Sequence, residues 1–449
     1  MRWRNVVVAL VAAAAVAFAS QLWRREPVGS KSGVEHVVLL TIDALRRDRL
    51  GCYGYESRPT SPNLDAWAPH AVVFDEAFAP APWTIPSLGA IFTNRHPFQI
   101  GAYTNRSGIS PDFVTLPEIF QRNGFVTASF NTHALLINET SGFRRGFDEV
   151  FPTRADLPDD DMHKMPFAHT EPALMAWLDK HAPDRFFLWI HDMDTHQPLT
   201  EGNPYLDDPA WSKYDAEVRW VDEAFGRVMR KLQALGIWDD SLIIFTADHG
   251  EAFGEHGIIG HQDCMYDEVL RIPLLIQSPD LEEGRHVAEP VESVDLFPTI
   301  LELAGLPPES GVGESLVPLL EGRRHRRLQP YLFHSRFHYE RAYHEIAVRD
   351  RWWKLLVTVK DLNGKKHRDE RQPPVWNLDA SSTQFELYHP ATDPGEANDL
   401  FEDHPAVVDR LRRVLADWQT GMRPPEKMSP ELDEAGREAL RALGYGDHE

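Results

Sequence analysis

Cysteine is scarce in this chain of 449 residues, which has only Cys52 and Cys264. Two cysteines cannot build a disulfide framework or a cysteine-rich zinc centre, so both are excluded. Basic residues are also outnumbered, with 46 Lys and Arg against 69 Asp and Glu and a formal net charge of −23. Because a nucleic-acid-binding protein needs a basic face, we expect no nucleic-acid partner. An anionic substrate would have to be attracted by a local metal ion or basic cluster.

The apolar run at the N-terminus, Val6 to Ala19, is short for a membrane span, which needs about 20 apolar residues. Basic residues precede this run, and the small-residue pattern Ala17-Phe18-Ala19 ends it, as is typical of a secretory signal peptide. An uncleaved anchor is the alternative, because Leu22 and Trp23 could extend the run. We therefore expect a signal peptide or anchor over residues 1–23 and a linker over 24–33. The protein would then be exported, either periplasmic or attached to the membrane and facing outward.

Residues 34–325 show strand-like apolar runs alternating with amphipathic helices. Phe186–Ile190 and Leu242–Thr246 are apolar or β-favouring throughout, which is typical of strands covered on both faces of a sheet. Tyr214–Leu235 carries apolar residues at helical spacing. The pattern predicts an α/β fold, with a mixed, mostly parallel sheet flanked by helices.

Beyond about residue 325 the strands are short and lack regular crossover helices. This change predicts a smaller antiparallel sheet with one closing helix, Ala406–Trp418, over residues 326–423. We expect residues 424–449 to be a tail.

Polar side chains follow several of the predicted strands. They are Asp43, Asp192 with His196, Asp248 with His249 and, just before the helix that starts near Pro86, Thr84. Because neighbouring parallel strands end at the same edge of a sheet, these residues are expected to share one crevice. Carboxylates, a hydroxyl and an imidazole suit Ca²⁺, Mg²⁺ or Mn²⁺ and also Zn²⁺. Each residue has a structural alternative, since an Asp or Thr caps turns and helices and His196 could be an ordinary loop histidine.

The sequence resembles the sulfatase family of the alkaline phosphatase superfamily. The matching segments are LLTIDALRRDRLGCYGY (39–55), SPNLDAWAPHAVVFDEAFAPAPWTIPS (61–87), TADHGEAFGEHG (246–257), YDEVLRIPLLIQSP (266–279), VESVDLFPTILELAGLP (291–307) and ELYHPATDPGEANDL (386–400). They cover nearly the whole chain after the N-terminal segment, in the family's order.

The resemblance implies a role for each matching residue. It makes Asp43, Asp248 and His249 metal ligands, with the Thr84 oxygen completing the set for one divalent ion, Ca, Mn, Mg or Zn. It also places Thr84 at the nucleophile, Asn105 against the oxyanion of the ester, His196 at the leaving group, and His261 where relatives carry Lys or His.

The departures from the family pattern bear on the chemistry. The nucleophile motif Cys/Ser-x-Pro-Ser-Arg reads Thr84-Ile85-Pro86-Ser87-Leu88 here. Oxidation of a threonine would give a ketone, so we do not expect formylglycine. The family's frequent second Asp is Ala44, and this replacement removes a ligand.

These departures leave three interpretations of the function. We favour an enzyme in which Thr84, activated by a metal ion, attacks a phosphorus ester, for phosphodiester hydrolysis or transfer of a phospho group. A sulfuric ester hydrolase that works without formylglycine is the second interpretation. The third is an inactive binding protein that kept the fold. In every case the partner is an anionic ester.

The number of metal ions is the last open point. Asp192 and His196 could hold a second ion with His334 or His338, or with His261, since two ions about 3.5–4 Å apart would suit a phosphodiester. Asp192 could instead orient His196 as a second-sphere acceptor. We favour one ion.

Overall fold

The structure is a computed structural model. It describes residues 33–152, 165–197, 199–261, 264–279, 281, 284–323, 327–328, 330–338, 343–360, 378 and 383–441.

The strands are β1 (His36–Ile42), β2 (Val72–Phe74), β3 (Ala77–Phe78), β4 (Val126–Asn131), β5 (Glu149–Phe151), β6 (Phe186–Asp192), β7 (Ser241–Ala247), β8 (Ala252–Phe253), β9 (Ile259–Gly260), β10 (Arg271–Ile272), β11 (Leu274–Gln277), β12 (Arg285–Val287), β13 (Val291–Glu292), β14 (Leu332–His338), β15 (Tyr343–Arg349), β16 (Lys354–Lys360) and β17 (Thr383–Tyr388). The α-helices are α1 (Pro62–Trp67), α2 (Thr84–Thr93), α3 (Pro97–Ile100), α4 (Leu116–Arg122), α5 (Ala134–Ile137), α6 (Phe167–His181), α7 (Lys213–Ala234), α8 (Asp267–Leu270), α9 (Leu296–Leu303), α10 (Val317–Leu320), α11 (Pro405–Gly421) and α12 (Glu434–Leu440).

The main sheet has eight strands in the order β12-β2-β11-β7-β1-β6-β4-β5. β1 lies between β6 and β7 and runs parallel to both, while β11 is antiparallel to β7 and to β2. In this register Ile42 pairs with Asp192 on one side and with Ala247 on the other. The three strands therefore end at one edge, and the mixed, mostly parallel sheet predicted from the sequence is confirmed.

Burial explains why these segments form strands. Every residue of β1, β6 and β7 is buried, as expected for strands covered on both faces. Helix α7 buries a stripe that includes Val218, Val221 and Phe225, and this helix begins and ends one residue before the predicted Tyr214–Leu235. The core around the sheet thus fixes the strand ends that carry the polar residues.

The C-terminal unit is a four-stranded antiparallel sheet, β14-β15-β16-β17, covered by α11 through Leu411 and Leu415. The antiparallel unit with a closing helix is therefore confirmed.

The residues after Arg423, predicted to be a tail, contain helix α12, which contacts α5. Leu432, Ala439 and Leu440 are buried in the main core. These three apolar residues anchor the segment to the core, so it is not a free tail.

Among the helices of the described residues, none is long and apolar enough to cross a membrane. The predicted signal peptide or anchor, residues 1–23, and the linker, residues 24–32, lie outside the described residues. Gly33 is the first residue that the structure describes.

Candidate active site

Asp43 and Asp248 are the two carboxylates at the edge where β1 and β7 end, and both are fully buried. The backbone N–H of Asp43 donates to the carbonyl of Asp192 at 2.9 Å. Asp248 Oδ1 accepts from the N–H of Ala44 at 3.1 Å and from that of His249 at 2.8 Å. These hydrogen bonds fix the backbone of Asp43 and the carboxylate of Asp248 at the same edge of the sheet.

Thr84 is the first residue of α2, and its side chain is fully buried. Its hydroxyl lies 3.4 Å from Asp43 Oδ2, to which it can donate, and 3.4 Å from His249 Nε2. The N-cap position belongs to Trp83, so the Thr84 hydroxyl is not the capping group. The structure therefore brings Thr84 together with Asp43 and His249.

Asn105 takes part in holding the start of α2. Its Oδ1 accepts from the N–H of Ile85 at 3.0 Å, and the residue is 1% exposed. Its Nδ2 has no hydrogen-bond partner among the described residues. A buried amide donor beside a helix N-terminus is suited to an anionic oxygen.

Three histidines line the site beyond the carboxylates. His249 Nε2 lies 3.5 Å from Asp248 Oδ2 and 3.9 Å from Asp43 Oδ1, while its Nδ1 contacts the carbonyl of Gly250 at 2.9 Å. The ring of His261 lies 4.3 Å from that of His249 and 5.3 Å from that of His196, measured between centroids. His261 is thus adjacent to the metal-ligand candidate His249, and His196 lies beside His261.

Glu251 orients one of these rings. Its carboxylate accepts from His261 Nδ1 at 3.2 Å. Burial lowers the pKa of His261, but the Glu251 charge outweighs this effect and raises it. The contact with Glu251 therefore favours the cationic form of His261.

His191 is a site residue that the sequence did not single out. It is fully buried in β6, and its Nε2 lies 3.4 Å from Asp43 Oδ2. The predicted strand stopped at Ile190, which placed His191 in a loop, whereas β6 continues to Asp192. Side chains alternate along a strand, so the added residues put His191 beside Asp43.

The residues considered for a second ion have hydrogen-bond partners in different parts of the protein. Asp192 Oδ1 accepts from the N–H of Asp194 at 2.9 Å. His334 lies in the C-terminal sheet, where its Nδ1 contacts the carbonyl of Ala79 at 2.7 Å. The side chain of His338 lies outside the described residues. The single ion favoured from the sequence stays a prediction, with the second ion as its alternative.

The pKa values of the two acids are shifted in opposite directions. Burial and the neighbouring charge of Asp43 raise the pKa of Asp248 to about 7. Burial also acts to raise the pKa of Asp43, but the neighbouring charges of His196 and His249 hold it well below its usual range. Two buried carboxylates with ligand atoms within 4.8 Å repel each other, and a cation between them would remove that repulsion.

The donor set fits a divalent metal ion. Asp43 Oδ1, Asp248 Oδ2 and His191 Nε2 are buried and have no hydrogen-bond partner among the described residues. Ligand atoms of Asp43, His191 and Asp248 lie within 4.8 Å of one another. Buried polar atoms without partners need an explanation, and an ion is the one that suits two carboxylates and an imidazole.

Comparisons with known proteins agree with this geometry. The family profile described as "Sulfatase" matches residues 35–306, and the profile "N-sulphoglucosamine sulphohydrolase, C-terminal" matches residues 254–379. Arylsulfatase A of Homo sapiens is 28% identical over an alignment that covers 86% of this chain and 87% of that protein.

Solved structures share the fold. The phosphonate monoester hydrolase of Agrobacterium radiobacter superposes with a TM-score of 0.69 at 20% identity, covering 86% of this chain and 96% of that one. A protein solved with its substrate D-glucosamine-2-N,6-O-disulfate gives a TM-score of 0.67 at 20% identity, with coverages of 86% and 97%.

Proposed function

The chain belongs to the sulfatase family of ester hydrolases, and from that premise we propose that it is a metal-dependent enzyme whose nucleophile is the Thr84 hydroxyl, acting on phosphorus esters. The observation that carries the proposal is the position of Thr84 Oγ1, buried at the start of α2 and 3.4 Å from both Asp43 Oδ2 and His249 Nε2. A hydroxyl that only stabilised the fold would not need two such neighbours.

The side chains around Thr84 argue against sulfate chemistry through formylglycine. A threonine oxidised at its hydroxyl carbon is a ketone, which cannot form the aldehyde hydrate. Leu88, at the position where the motif has Arg, is fully buried in the apolar core and offers no donor. The site keeps a hydroxyl nucleophile and has lost the group that would support the aldehyde.

Asp43, Asp248 and His249 would hold the metal ion, with the Thr84 oxygen beside them. Such an ion supplies a Lewis acid that favours the ionised hydroxyl and offsets the negative charge of the ester. Thr84 Oγ1 passes its proton to Asp43 Oδ2 and attacks phosphorus, and the bond between phosphorus and the leaving alcohol breaks. The N-terminus of α2 and the Asn105 amide face the developing negative charge.

The leaving alcohol needs a proton, which an adjacent imidazole can supply. We assign this role to His196 and His261, and the distance of 5.3 Å between their ring centroids supports a shared position beside the ester. Water, or an acceptor alcohol, then cleaves the bond between Thr84 and phosphorus and regenerates the hydroxyl. With water the net reaction is hydrolysis, and with an alcohol it is phospho-group transfer.

A substrate panel tests this proposal. Aryl sulfate, phosphomonoester, phosphodiester and phosphonate monoester would be offered to the wild type, to Thr84→Ala and to Thr93→Ala. Thr93 is a matched control because it is a buried threonine at the other end of the same helix, donating to the carbonyl of Gly89.

We expect phosphorus esters to be turned over, with a loss of about 10³-fold or more in Thr84→Ala and little change in Thr93→Ala. Sulfate ester turnover that survives Thr84→Ala would refute the nucleophile assignment. A metal-bearing protein that turns over no member of the panel would favour the binding-protein alternative.

Export belongs to the same proposal and rests on the sequence of residues 1–23. N-terminal sequencing of the protein from its native host should find a start near Ser20 if the segment is a cleaved signal peptide. An intact Met1 in the membrane fraction would support an anchor, and an intact Met1 in the soluble cytoplasmic fraction would refute export.

A further inference from the structure

We propose that His191 is a ligand of the metal ion and that the site selects a transition metal of the Zn²⁺ class over Ca²⁺ or Mg²⁺. This inference concerns the ion rather than the ester. Metal binding is measured without substrate. A result that overturns the role of His191 would therefore leave the nucleophile proposal standing, and a result that overturns the nucleophile proposal would leave the role of His191 standing.

Position is the first argument. His191 pairs with Thr41 in the parallel register of β6 and β1, one residue before the pair Ile42 and Asp192 at the sheet edge. Its side chain is fully buried, with Nε2 3.4 Å from Asp43 Oδ2. A charge-assisted N–H···O⁻ hydrogen bond is about 2.7–2.9 Å long, so this contact is too long for one. Two ligands held about 2.0–2.1 Å from one tetrahedral ion would lie about 3.4 Å apart.

The hydrogen bonds behind the ring are the second argument. His191 Nδ1 lies 2.8 Å from the hydroxyl of Thr41, and Trp189 Nε1 donates to the same hydroxyl at 2.9 Å. The hydroxyl can donate its own proton to the carbonyl of Ile190 at 3.3 Å. When the hydroxyl proton points to Ile190, Thr41 accepts from both rings, and this arrangement assigns the His191 proton to Nδ1.

This tautomer leaves Nε2 as an unprotonated lone pair directed at Asp43. Metal-bound histidines are usually oriented in the same way, by a partner on the nitrogen that does not bind the ion. Thr41 is therefore a positioning residue, and Trp189 holds Thr41.

The kinds of donor identify the class of metal. With His191 and His249 the candidate set holds two imidazoles beside the carboxylates of Asp43 and Asp248, whereas Ca²⁺ and Mg²⁺ favour oxygen ligands. The resemblance places a second Asp at Ala44, where no ligand remains. His191 would supply a nitrogen in place of that lost oxygen.

Binding to the metal-depleted full chain tests the proposal. Zn²⁺ affinity would be measured against a chelator of known strength, Ca²⁺ would be added in excess as competitor, and Co²⁺ would report the ligands through its visible absorption. The variants are His191→Asn, which can keep the contact to Thr41, and Thr41→Val, which keeps the shape of Thr41. His36→Asn is the control, because His36 is a buried histidine at the opposite end of β1.

We expect the wild type to retain Zn²⁺ in excess Ca²⁺. Loss of an orienting partner typically costs about 10–100-fold in affinity, so Thr41→Val should fall in that range and His191→Asn at or beyond its upper end. The Co²⁺ spectrum should change in both variants and stay unchanged in His36→Asn.

Zn²⁺ affinity within about threefold of wild type in a folded His191→Asn would overturn the proposal, as would a wild type that prefers Ca²⁺. If His191→Asn does not fold, Thr41→Val with wild-type affinity and Co²⁺ spectrum would overturn it equally. A second variant restores an oxygen ligand by combining His191→Asn with Ala44→Asp. Ala44 has a φ of 54°, a conformation that Asp tolerates. The proposal predicts that this double variant shifts preference towards Ca²⁺.

Discussion

Replacing Gly250 by alanine should disable the site without touching any of its functional atoms. Gly250 follows Asp248 and His249, and its N–H donates to the carbonyl of Val269 at 2.7 Å. A Cβ added to Gly250 would lie 2.3 Å from the carbonyl oxygen of Glu268, whereas ordinary contacts begin near 3.4 Å. The obstructing atom is backbone and cannot rotate away, so the two segments must separate by about 1 Å.

Two magnitudes follow from that displacement. Overpacking of this kind costs about 1–3 kcal/mol of unfolding free energy. A shift of about 1 Å in groups that position a reaction can cost about 10²-fold in rate, and Asp248 and His249 are the residues that would move. The loss of activity should therefore exceed what the modest loss of stability would suggest.

The assay compares kcat/KM, metal content and the urea midpoint of Gly250→Ala with those of Gly395→Ala. An added Cβ at Gly395 meets no atom within 4 Å, so this control should behave as wild type. A Gly250→Ala protein with wild-type turnover and an unchanged urea midpoint would refute the close approach of Gly250 to Glu268.

Two further predictions concern the C-terminal unit. Lys354 is fully buried and donates to Asp267 and Glu396, both at 2.9 Å. Lys354→Met should therefore lower the free energy of unfolding in urea by about 3–5 kcal/mol, because it leaves the two acids without their cation. A decrease below about 1 kcal/mol would contradict this. Burial of His96, which packs against Trp418 of α11, lowers its pKa to about 4. The unfolded chain then binds the extra proton between about pH 6.5 and 4, so stability should fall with pH in that window. From about pH 8 to 5 the wild type should lose about 2 kcal/mol more than His96→Asn, and equal losses in both proteins would show that His96 does not titrate this way.

The central sheet and the meeting of Asp43 with Asp248 could be read from the sequence. Strands buried on both faces are apolar throughout, and the first polar residue after such a run marks its end. Because β1 and β7 are parallel neighbours, the residues that follow them had to lie together. The position of Thr84 before a helix also grouped it with these residues, but its role as nucleophile came from the family motif.

The position of His191 in the site could not be predicted from the sequence. A strand end is uncertain by a residue or two, and here the difference decides whether an imidazole belongs to a loop or faces a carboxylate. That β6 is the other neighbour of β1 is a property of the folded sheet, set by contacts far apart in the chain. The position of α12 also depends on contacts far apart in the chain, because its short apolar face packs against the main core.

The central claim, that Thr84 is the nucleophile, predicts a covalent intermediate. An activated aryl phosphodiester would be mixed with the protein, the reaction quenched in acid within the first turnover, and the peptides analysed by mass spectrometry. We expect the retained phospho group on the peptide that contains Thr84, in the wild type and in Thr93→Ala, and no adduct in Thr84→Ala. Turnover of the diester by Thr84→Ala at the wild-type rate, or an adduct on another residue, would contradict the account.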